Sequence, residues 1–209
     1  MAAIGILLEN SLRGLIKEGY TLSELFRKAI HLSAVLVPIL TEMTSKALVL
    51  TALVIITIVY CFGELLRVEG RTLPIITTFT LRMSRPQEGT HVIVRPIYFA
   101  VGIIVTLLLF PSTIAYASIM ILAVGDPVAA LVGERVGRLH VRKKTVEGSL
   151  AGLIASFILT SITVSPFTAL IGSGGGMLME FIDEPDDNLT MPIISGALMM
   201  AARLVHLSS

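Results

Sequence analysis

The most densely charged stretch of the chain lies between two apolar runs, in residues 125–152 with the sequence GDPVAALVGERVGRLHVRKKTVEGSLAG. Asp126 lies within an otherwise apolar helix, near one of its ends. An ionised carboxylate costs about 2.5–3.5 kcal/mol at the centre of a membrane helix, so it normally faces a cavity, a cation or a partner. Gly125, Asp126 and Pro127 also predict a helix break, with Asp126 as the N-cap of a new half-helix. A structural cap or an Asp–Arg pair is the alternative interpretation.

The basic loop that follows contains the candidate phosphate ligands Arg142, Lys143 and Lys144. Gly133 and Gly137 precede this loop, and glycine lets backbone amides approach an anion closely. The same four-residue glycine spacing is also typical of closely packed helices. Basic residues in such a loop also anchor membrane topology, so the functional interpretation depends on the polar residues that accompany them.

Further polar residues occur at the ends of four other apolar runs. Because alternate loops of a multi-pass protein lie on the same membrane face, we expect these residues to converge with Asp126 and Glu147. Carboxylates with lysines and a histidine predict a site for a divalent metal and a polyphosphate. The residues are Arg27, Lys28 and His31, then Glu64 and Arg67, then Glu180, then Asp183, Asp186, Asp187 and Asn188.

The composition is that of an integral membrane protein. Apolar residues make up 54% of the 209 residues, charged residues 15%, and the mean hydropathy is +0.86. A spanning helix needs about 20 mostly apolar residues. The sequence therefore predicts an all-α transmembrane bundle of about seven spans, with six to eight possible. The predicted spans are 29–41, 47–65, 92–110, 113–133, 147–164, 166–182 and 190–207.

The distribution of basic residues predicts the orientation of these spans. Lysines and arginines cluster before the first span, after the second and after the fourth, which places the N-terminus in the cytoplasm. Residues 1–26 are expected to form an amphipathic interfacial segment and residues 27–209 the transmembrane domain. The segment 72–84 could cross, re-enter or lie on the membrane. A prokaryotic plasma membrane is favoured over the endoplasmic reticulum because the chain is short.

Several classes of function are disfavoured by the sequence. A formal net charge of +1 with scattered basic residues makes a nucleic-acid partner unexpected. Cys61 is the single cysteine, so it is expected to pack in an apolar helix without a disulfide. The glycines of GSGGG, residues 172–176, are interpreted as helix packing rather than phosphate binding.

The motifs resemble those of the dolichol kinase and phytol kinase family of membrane polyprenol kinases. The resemblance covers residues 24–200 and is most specific in GDPVAALVGERVG (125–137) together with KKTVEGSLAG (143–152). Three weaker matches accompany these two. They are ELFRKAIHLS (24–33), GELLR (63–67) and the segments ME and DDNLTMPIISG between Met179 and Gly196.

The resemblance implies a Mg²⁺- and CTP-dependent kinase that phosphorylates the terminal hydroxyl of an isoprenoid alcohol at the cytoplasmic membrane face. Since phosphoryl transfer needs charge neutralisation and a group that orients the hydroxyl, we assign a metal site, a nucleotide site and the catalytic residues Asp126, His31, Glu180 and Lys144. His31 is the predicted base or hydroxyl-orienting group, with Glu180 as a rival for that role. The lipid bilayer and the alcohol are then its partners, and an oligomer is possible. The metal residues are Asp126, Asp187, Asn188 and Glu147, and the nucleotide residues are Gly125, Gly133, Gly137, Arg142, Lys143, Lys144, Glu147, Gly148 and Ser149.

Two other functions stay open from the sequence. A CTP-dependent lipid cytidylyltransferase needs the same metal and cationic residues. The chain lacks the signature expected of that class, which is a serine and arginine followed by a lysine–aspartate pair and a late glycine-rich DRxD segment. It would release pyrophosphate, whereas the kinase releases CDP. A small transporter would use Asp126 as an ion site, but its charges should then line a path through the bilayer.

Overall fold

The computed structural model describes residues 22–83, 91–142, 144–182 and 186–208. Within these ranges the chain is all-α apart from one short antiparallel hairpin, so the predicted fold class is confirmed at that level. The predicted amphipathic segment 1–26 falls outside the described residues except for its last five. The hairpin consists of β1 (His140–Val141) and β2 (Lys144–Thr145), with His140 opposite Thr145.

The helices follow the predicted apolar runs. The first predicted span is divided into two short helices at residues 34–35, and the predicted span 113–133 contains two helices joined by a π-helical turn. The other predicted spans each contain one main helix. The helices are α1 (Leu22–Ser33), α2 (Leu36–Met43), α3 (Lys46–Val68), α4 (Pro74–Met83), α5 (Arg95–Leu109), α6 (Ser112–Met120), α7 (Asp126–Val136), α8 (Val146–Thr160), α9 (Pro166–Met179) and α10 (Asp187–Ser208).

A π-helical turn, Ile121–Gly125, joins α6 directly to α7. The predicted helix break at Gly125 is therefore wrong. Gly125 and Asp126 both have right-handed helical dihedral angles, so the backbone stays helical through both residues. Pro127 has no N–H to donate, and its ring would clash with the carbonyl four residues earlier in an ordinary α-helix. The wider π turn accommodates Pro127 without ending the helix.

Three helices are long and apolar enough to cross a membrane: Lys46–Val68, Ser112–Val136 and Asp187–Val205. The chain is therefore a multi-pass membrane protein. Two further apolar helices, Arg95–Leu109 and Val146–Thr160, are shorter. On α3, large apolar side chains such as Ile56 and Ile58 are more than 60% exposed, as expected for a surface that contacts lipid.

The described residues fall into two compact units. The smaller unit contains residues 22–30, 63–83 and 91–93. Within it, the fully buried Glu64 accepts hydrogen bonds from Arg67 Nε and from the Ile93 backbone N–H, each at 3.0 Å. The Phe26 and Phe79 rings pack edge to face, with centroids 5.6 Å apart. In the described part of the segment 72–84 the helix is α4, which at ten residues is about 15 Å long and too short to span the membrane.

The larger unit contains residues 31–62 and the described residues from 94 onward. Its core is formed by fully buried side chains from α5, α6, the π turn and α10, including Leu107, Ile119, Leu122 and Met199. Helices α9 and α10 approach closely because Gly172, Gly175 and Gly176 have no Cβ. A Cβ at any of the three positions would collide with a side chain of α10. The GSGGG segment is thus a helix-packing surface, as predicted.

Candidate active site

The site is centred on the ammonium group of Lys144, which comes from β2 of the hairpin. Lys144 Nζ donates to Asp126 Oδ1 at 3.0 Å, to Asp187 Oδ2 at 3.1 Å and to Glu180 Oε1 at 3.2 Å. We call these four residues the carboxylate–lysine cluster. Asp126 begins α7, Glu180 follows α9 and Asp187 begins α10. Three helices and the hairpin are therefore required to assemble it.

The charged side chains of the cluster are partly or fully buried, where an unpaired charge would be costly. The Glu180 side chain is completely buried, whereas those of Asp126, Lys144 and Asp187 are 20–26% exposed. Burial alone would lower the pKa of Lys144, but the attraction of Asp126, Asp187 and Glu180 outweighs that effect and raises the pKa of Lys144. Lys144 is therefore a permanent cation, and its three carboxylate neighbours leave the cluster with an excess of negative charge.

His31 and Ser149 complete the surroundings of this cluster. His31 Nδ1 lies 3.2 Å from Asp126 Oδ2, and the imidazole packs on the Phe99 ring with centroids 4.9 Å apart. Ser149 Oγ donates to Glu180 Oε2 at 2.7 Å, so Glu180 uses one carboxylate oxygen for Lys144 and the other for Ser149. The predicted convergence of Asp126, His31, Lys144, Glu180 and Asp187 is present in the structure.

The start of α10 brings two more predicted residues beside the cluster. Asp186 Oδ1 accepts hydrogen bonds from the backbone N–H and side-chain amide of Asn188, at 3.0 and 2.6 Å. Burial, reinforced by Asp187, raises the pKa of Asp186. Asn188 Oδ1 is buried and has no hydrogen-bond partner in the described residues. A buried, unpaired carbonyl oxygen beside carboxylates is a suitable ligand for a hard cation.

The cluster contains the oxygen ligands that Mg²⁺ prefers, but among the described residues they do not surround a common point where a metal ion would be bound. No three His, Cys, Asp or Glu side chains in the described residues are arranged to hold one metal ion. The ammonium of Lys144 stands among the carboxylates instead. The oxygen donors of Asp126, Asp187 and Asn188 nevertheless fit the ligand preference of Mg²⁺, which is for carboxylates and carbonyls.

Glu147, a predicted metal and nucleotide ligand, lies elsewhere. It is half-buried in the first turn of α8, and both carboxylate oxygens are 3.2 Å from the Leu139 backbone nitrogen, which donates to them. Thr145 is the N-cap of the same helix and accepts from the Gly148 N–H at 3.2 Å. Glu147 therefore supports the hairpin in this structure and is not brought into the cluster.

The space beside the predicted anion-binding glycines is occupied by other protein atoms. A Cβ on Gly133 or Gly137 would collide with Thr145, and one on Gly148 would collide with the Ala129 carbonyl and approach Gly133 Cα. A Cβ on Gly125 would meet the Met177 sulfur at 2.8 Å. The space on the Cβ side of Gly133 and Gly137 is thus used for close packing of α7, β2 and α8, and their approach to a phosphate stays a prediction.

The basic loop is described only in part. Arg142 has a left-handed φ of 55°, and its Nη1 donates to the Phe181 carbonyl at 3.0 Å, which ties the loop to the end of α9. Lys143 and Asp183 lie outside the described residues. The role of Ser149 as a partner of Glu180 was missed by sequence reasoning. No local motif signals a contact between residues 31 positions apart.

The fold and site together define a multi-pass, all-α membrane protein with a buried carboxylate–lysine cluster. The chain is 32% identical over 181 residues to uncharacterized protein MJ1137 of Methanocaldococcus jannaschii, covering 82% of this chain and 90% of that protein. It therefore belongs to the same family as that protein. It is also 24% identical over 180 residues to uncharacterized protein RP860 of Rickettsia prowazekii, covering 80% of this chain and 88% of that protein. No protein-family profile matches the chain, and no solved structure matches it.

Proposed function

We propose that this protein is a CTP-dependent kinase that transfers a phosphoryl group to the hydroxyl of an isoprenoid alcohol at the cytoplasmic membrane face. The observation that carries the proposal is the convergence of Asp126, Glu180 and Asp187 on Lys144, with His31 beside Asp126. These residues lie in the segments that resemble the polyprenol kinases. The resemblance supplies the choice of CTP and of the alcohol, which is a dolichol or polyprenol, geranylgeraniol or phytol.

Phosphoryl transfer depends on positioning and charge neutralisation rather than on covalent chemistry by the protein. Asp126, Asp187 and Asn188 would hold Mg²⁺, which when bound supplies positive charge to the phosphates of CTP. Lys144, which is already protonated, would donate to the transferred phosphoryl group. Arg142 and Lys143 would add positive charge at the loop, and Ser149 would keep the Glu180 carboxylate in a fixed orientation.

His31 is the proposed base or hydroxyl-orienting group. Nδ1 lies 3.2 Å from Asp126 Oδ2 without forming a hydrogen bond in the described residues, so the carboxylate would act on the imidazole by its charge. A protonated imidazole beside this carboxylate would be stabilised, which favours transfer of the alcohol proton to His31. Glu180 is the rival for this role, but both of its oxygens already accept hydrogen bonds.

The membrane arrangement is part of the proposal. We propose seven spans with a cytoplasmic N-terminus, in which helices of 14–15 residues such as α5, α8 and α9 serve as short spans next to the three long helices. Such helices are about 21–22 Å long, shorter than the hydrocarbon core of about 30 Å. Both relatives come from prokaryotes, which supports a prokaryotic plasma membrane.

The deciding experiment is a transfer assay on the purified protein in detergent, with γ-labelled CTP or ATP, Mg²⁺ and a panel of geranylgeraniol, phytol and dolichol. Label in an organic-extractable lipid phosphate, with CDP as the second product, is the expected result. The D126N variant should lose the activity, whereas E69Q, an exposed carboxylate change in the smaller unit, should retain it. Release of pyrophosphate without labelled lipid would instead identify a cytidylyltransferase. A protein that uses neither reaction but takes up ions in proteoliposomes through Asp126 would be a transporter.

A further inference from the structure

A cavity of about 280 Å³ lies at the end of the larger unit where α6 and α9 begin and where α8 and α10 approach their ends. Its lining residues are Thr113, Ile114, Thr163, Val164, Ser165, Thr168 and Arg203. Thr113 and Asp126 lie on one continuous helical run, Ser112–Val136, and are 13 residues apart, which corresponds to about 20 Å. The cavity is therefore separate from the carboxylate–lysine cluster.

The lining of the cavity is suited to an anion. Arg203 is its charged lining residue, and its four other polar lining residues carry hydroxyl groups. Thr168 is only 5% exposed, and its hydroxyl lies 2.9 Å from that of Ser165, so the polar wall of the cavity is ordered by its own contacts. No carboxylate contributes to the described lining. A guanidinium with hydroxyl donors is a combination that binds phosphate oxygens.

The ends of the helices add to this preference. The first turn of α6 has no side-chain cap, and the cavity is lined by Thr113 and Ile114 from that turn. The unpaired N–H groups at the start of a helix carry partial positive charge. They reinforce the potential of Arg203, which by itself could also be explained as an interfacial anchor whose stem covers apolar surface.

We propose that this cavity binds the phosphate of an anionic lipid head-group, at the membrane face opposite the carboxylate–lysine cluster. Arg203 lies two residues before the end of the candidate span Asp187–Val205, a position at the depth of head-groups rather than of acyl chains. A lipid phosphate reaches that depth with its tails in the bilayer. The binding site is independent of the kinase activity proposed above.

The test measures thermal stability of the purified full chain in detergent micelles doped with dioleoylphosphatidylglycerol or dioleoylphosphatidylcholine. A parallel titration uses inorganic phosphate against chloride at equal ionic strength. The variants are R203Q, the milder T113V, and R71Q as a matched loss of an exposed arginine in the smaller unit. In wild-type protein and R71Q, phosphatidylglycerol should raise the melting temperature more than phosphatidylcholine does. R203Q should need about tenfold more phosphatidylglycerol for half of the effect, because a charge-assisted hydrogen bond is lost.

T113V should respond in the same direction, by about threefold, and it serves as the test if R203Q does not fold. Stabilisation by inorganic phosphate that also depends on Arg203 would support the phosphate site and assign it to free phosphate. Equal responses to the two lipids with no effect of phosphate would overturn the proposal. So would a phosphatidylglycerol response that is unchanged in R203Q and T113V, or one that R71Q loses to the same extent.

Discussion

Lys144 Nζ and Asp126 Oδ1 are 3.0 Å apart, although their residues are separated by 18 positions and lie on different elements. The same ammonium also contacts Glu180 and Asp187. It is therefore the point at which α7, the end of α9 and the start of α10 are joined. Loss of this one positive charge would leave three carboxylates close together in a partly buried site, where their repulsion is poorly screened.

Lys144→Gln is expected to lower the free energy of unfolding by about 2 kcal/mol at neutral pH. The loss is smaller than that for breaking a fully buried ion pair, because the Lys144 side chain is a quarter exposed and solvent screens its charge. The difference from wild type should widen between pH 5 and pH 8, because burial raises the pKa of Glu180 to about 7 and its ionised form then has no counter-charge in the variant. The raised pKa of Lys144 is above its value in the unfolded chain, so its own stabilising contribution is fully present below about pH 10. Thermal denaturation in detergent across this pH range is the measurement.

Lys46→Gln is the control for that variant, because Lys46 donates one long hydrogen bond, 3.5 Å to the Phe110 carbonyl, and has no acidic partner in the described part of the chain. It should show little loss of stability at any pH in the series. Equal destabilisation by both substitutions, or a Lys144→Gln effect that does not depend on pH, would contradict the central role of the ammonium.

Added Mg²⁺ should stabilise Lys144→Gln more than wild type, since the vacated carboxylates bind a cation.

His31 and Asp126 are predicted to act as one unit. H31Q should reduce kcat by about 100-fold with little change in the KM for CTP, since a base contributes roughly 10²–10⁴-fold. D126N should reduce kcat further and also raise the requirement for Mg²⁺. Because the two side chains lie 3.2 Å apart, the H31Q/D126N double variant should lose less than the product of the single losses. Fully multiplicative losses would mean that Asp126 does not act through His31.

Much of this architecture is predictable from the sequence, because apolar length fixes where helices form. Hydropathy predicted the main helices, and the charge pattern grouped Asp126, Lys144, Glu180 and Asp187. The sequence does not separate a helix break from a π turn at Gly125, since both accommodate the missing N–H of Pro127. The difference matters at the site, because a continuous helix gives Asp126 no free N-terminal dipole with which to bind an anion.

The glycines show a second limit of sequence reasoning. A four-residue glycine spacing is compatible with an anion site and with helix packing, and only three-dimensional contacts distinguish the two. At Gly133 and Gly148 the neighbouring atoms belong to Thr145, Ala129 and each other, so these glycines let α7 pack closely on α8. Glu147 is similar: its position beside the basic loop predicted a ligand, but its carboxylate accepts from the Leu139 backbone.

Gly148→Ala is therefore expected to destabilise the larger unit. Its new Cβ would meet the Ala129 carbonyl and Gly133 Cα, which are backbone atoms of α7 that cannot rotate away. Overpacking of this kind costs about 1–3 kcal/mol. Gly174→Ala is the matched control, because the nearest atom to its Cβ is Leu153 Cδ1 at 3.9 Å, and alanine favours a helix more than glycine does. A denaturation midpoint that falls for the first variant and is unchanged or higher for the second is expected. The reverse order would contradict the described packing of α7 on α8.

Ser149→Ala separates two roles for the same hydroxyl. In the structure Ser149 Oγ donates to Glu180 Oε2 at 2.7 Å, whereas its position just after the basic loop predicts a ligand of the nucleotide. As a positioning residue it should lower kcat and leave the KM for CTP nearly unchanged, because Glu180 loses a donor while the nucleotide loses none. A rise in that KM at constant kcat would instead assign Ser149 to CTP.

Ser156→Ala is the control for that comparison. Ser156 lies two turns further along α8, is also buried, and donates to the Gly152 carbonyl of its own helix at 2.7 Å. That carbonyl retains its helical hydrogen bond, so the substitution should change neither kcat nor KM. Ser149→Thr keeps the hydroxyl and should recover part of the lost kcat if the bond to Glu180 is what matters. Activity equal to that of Ser149→Ala would show that the hydroxyl does not act through Glu180.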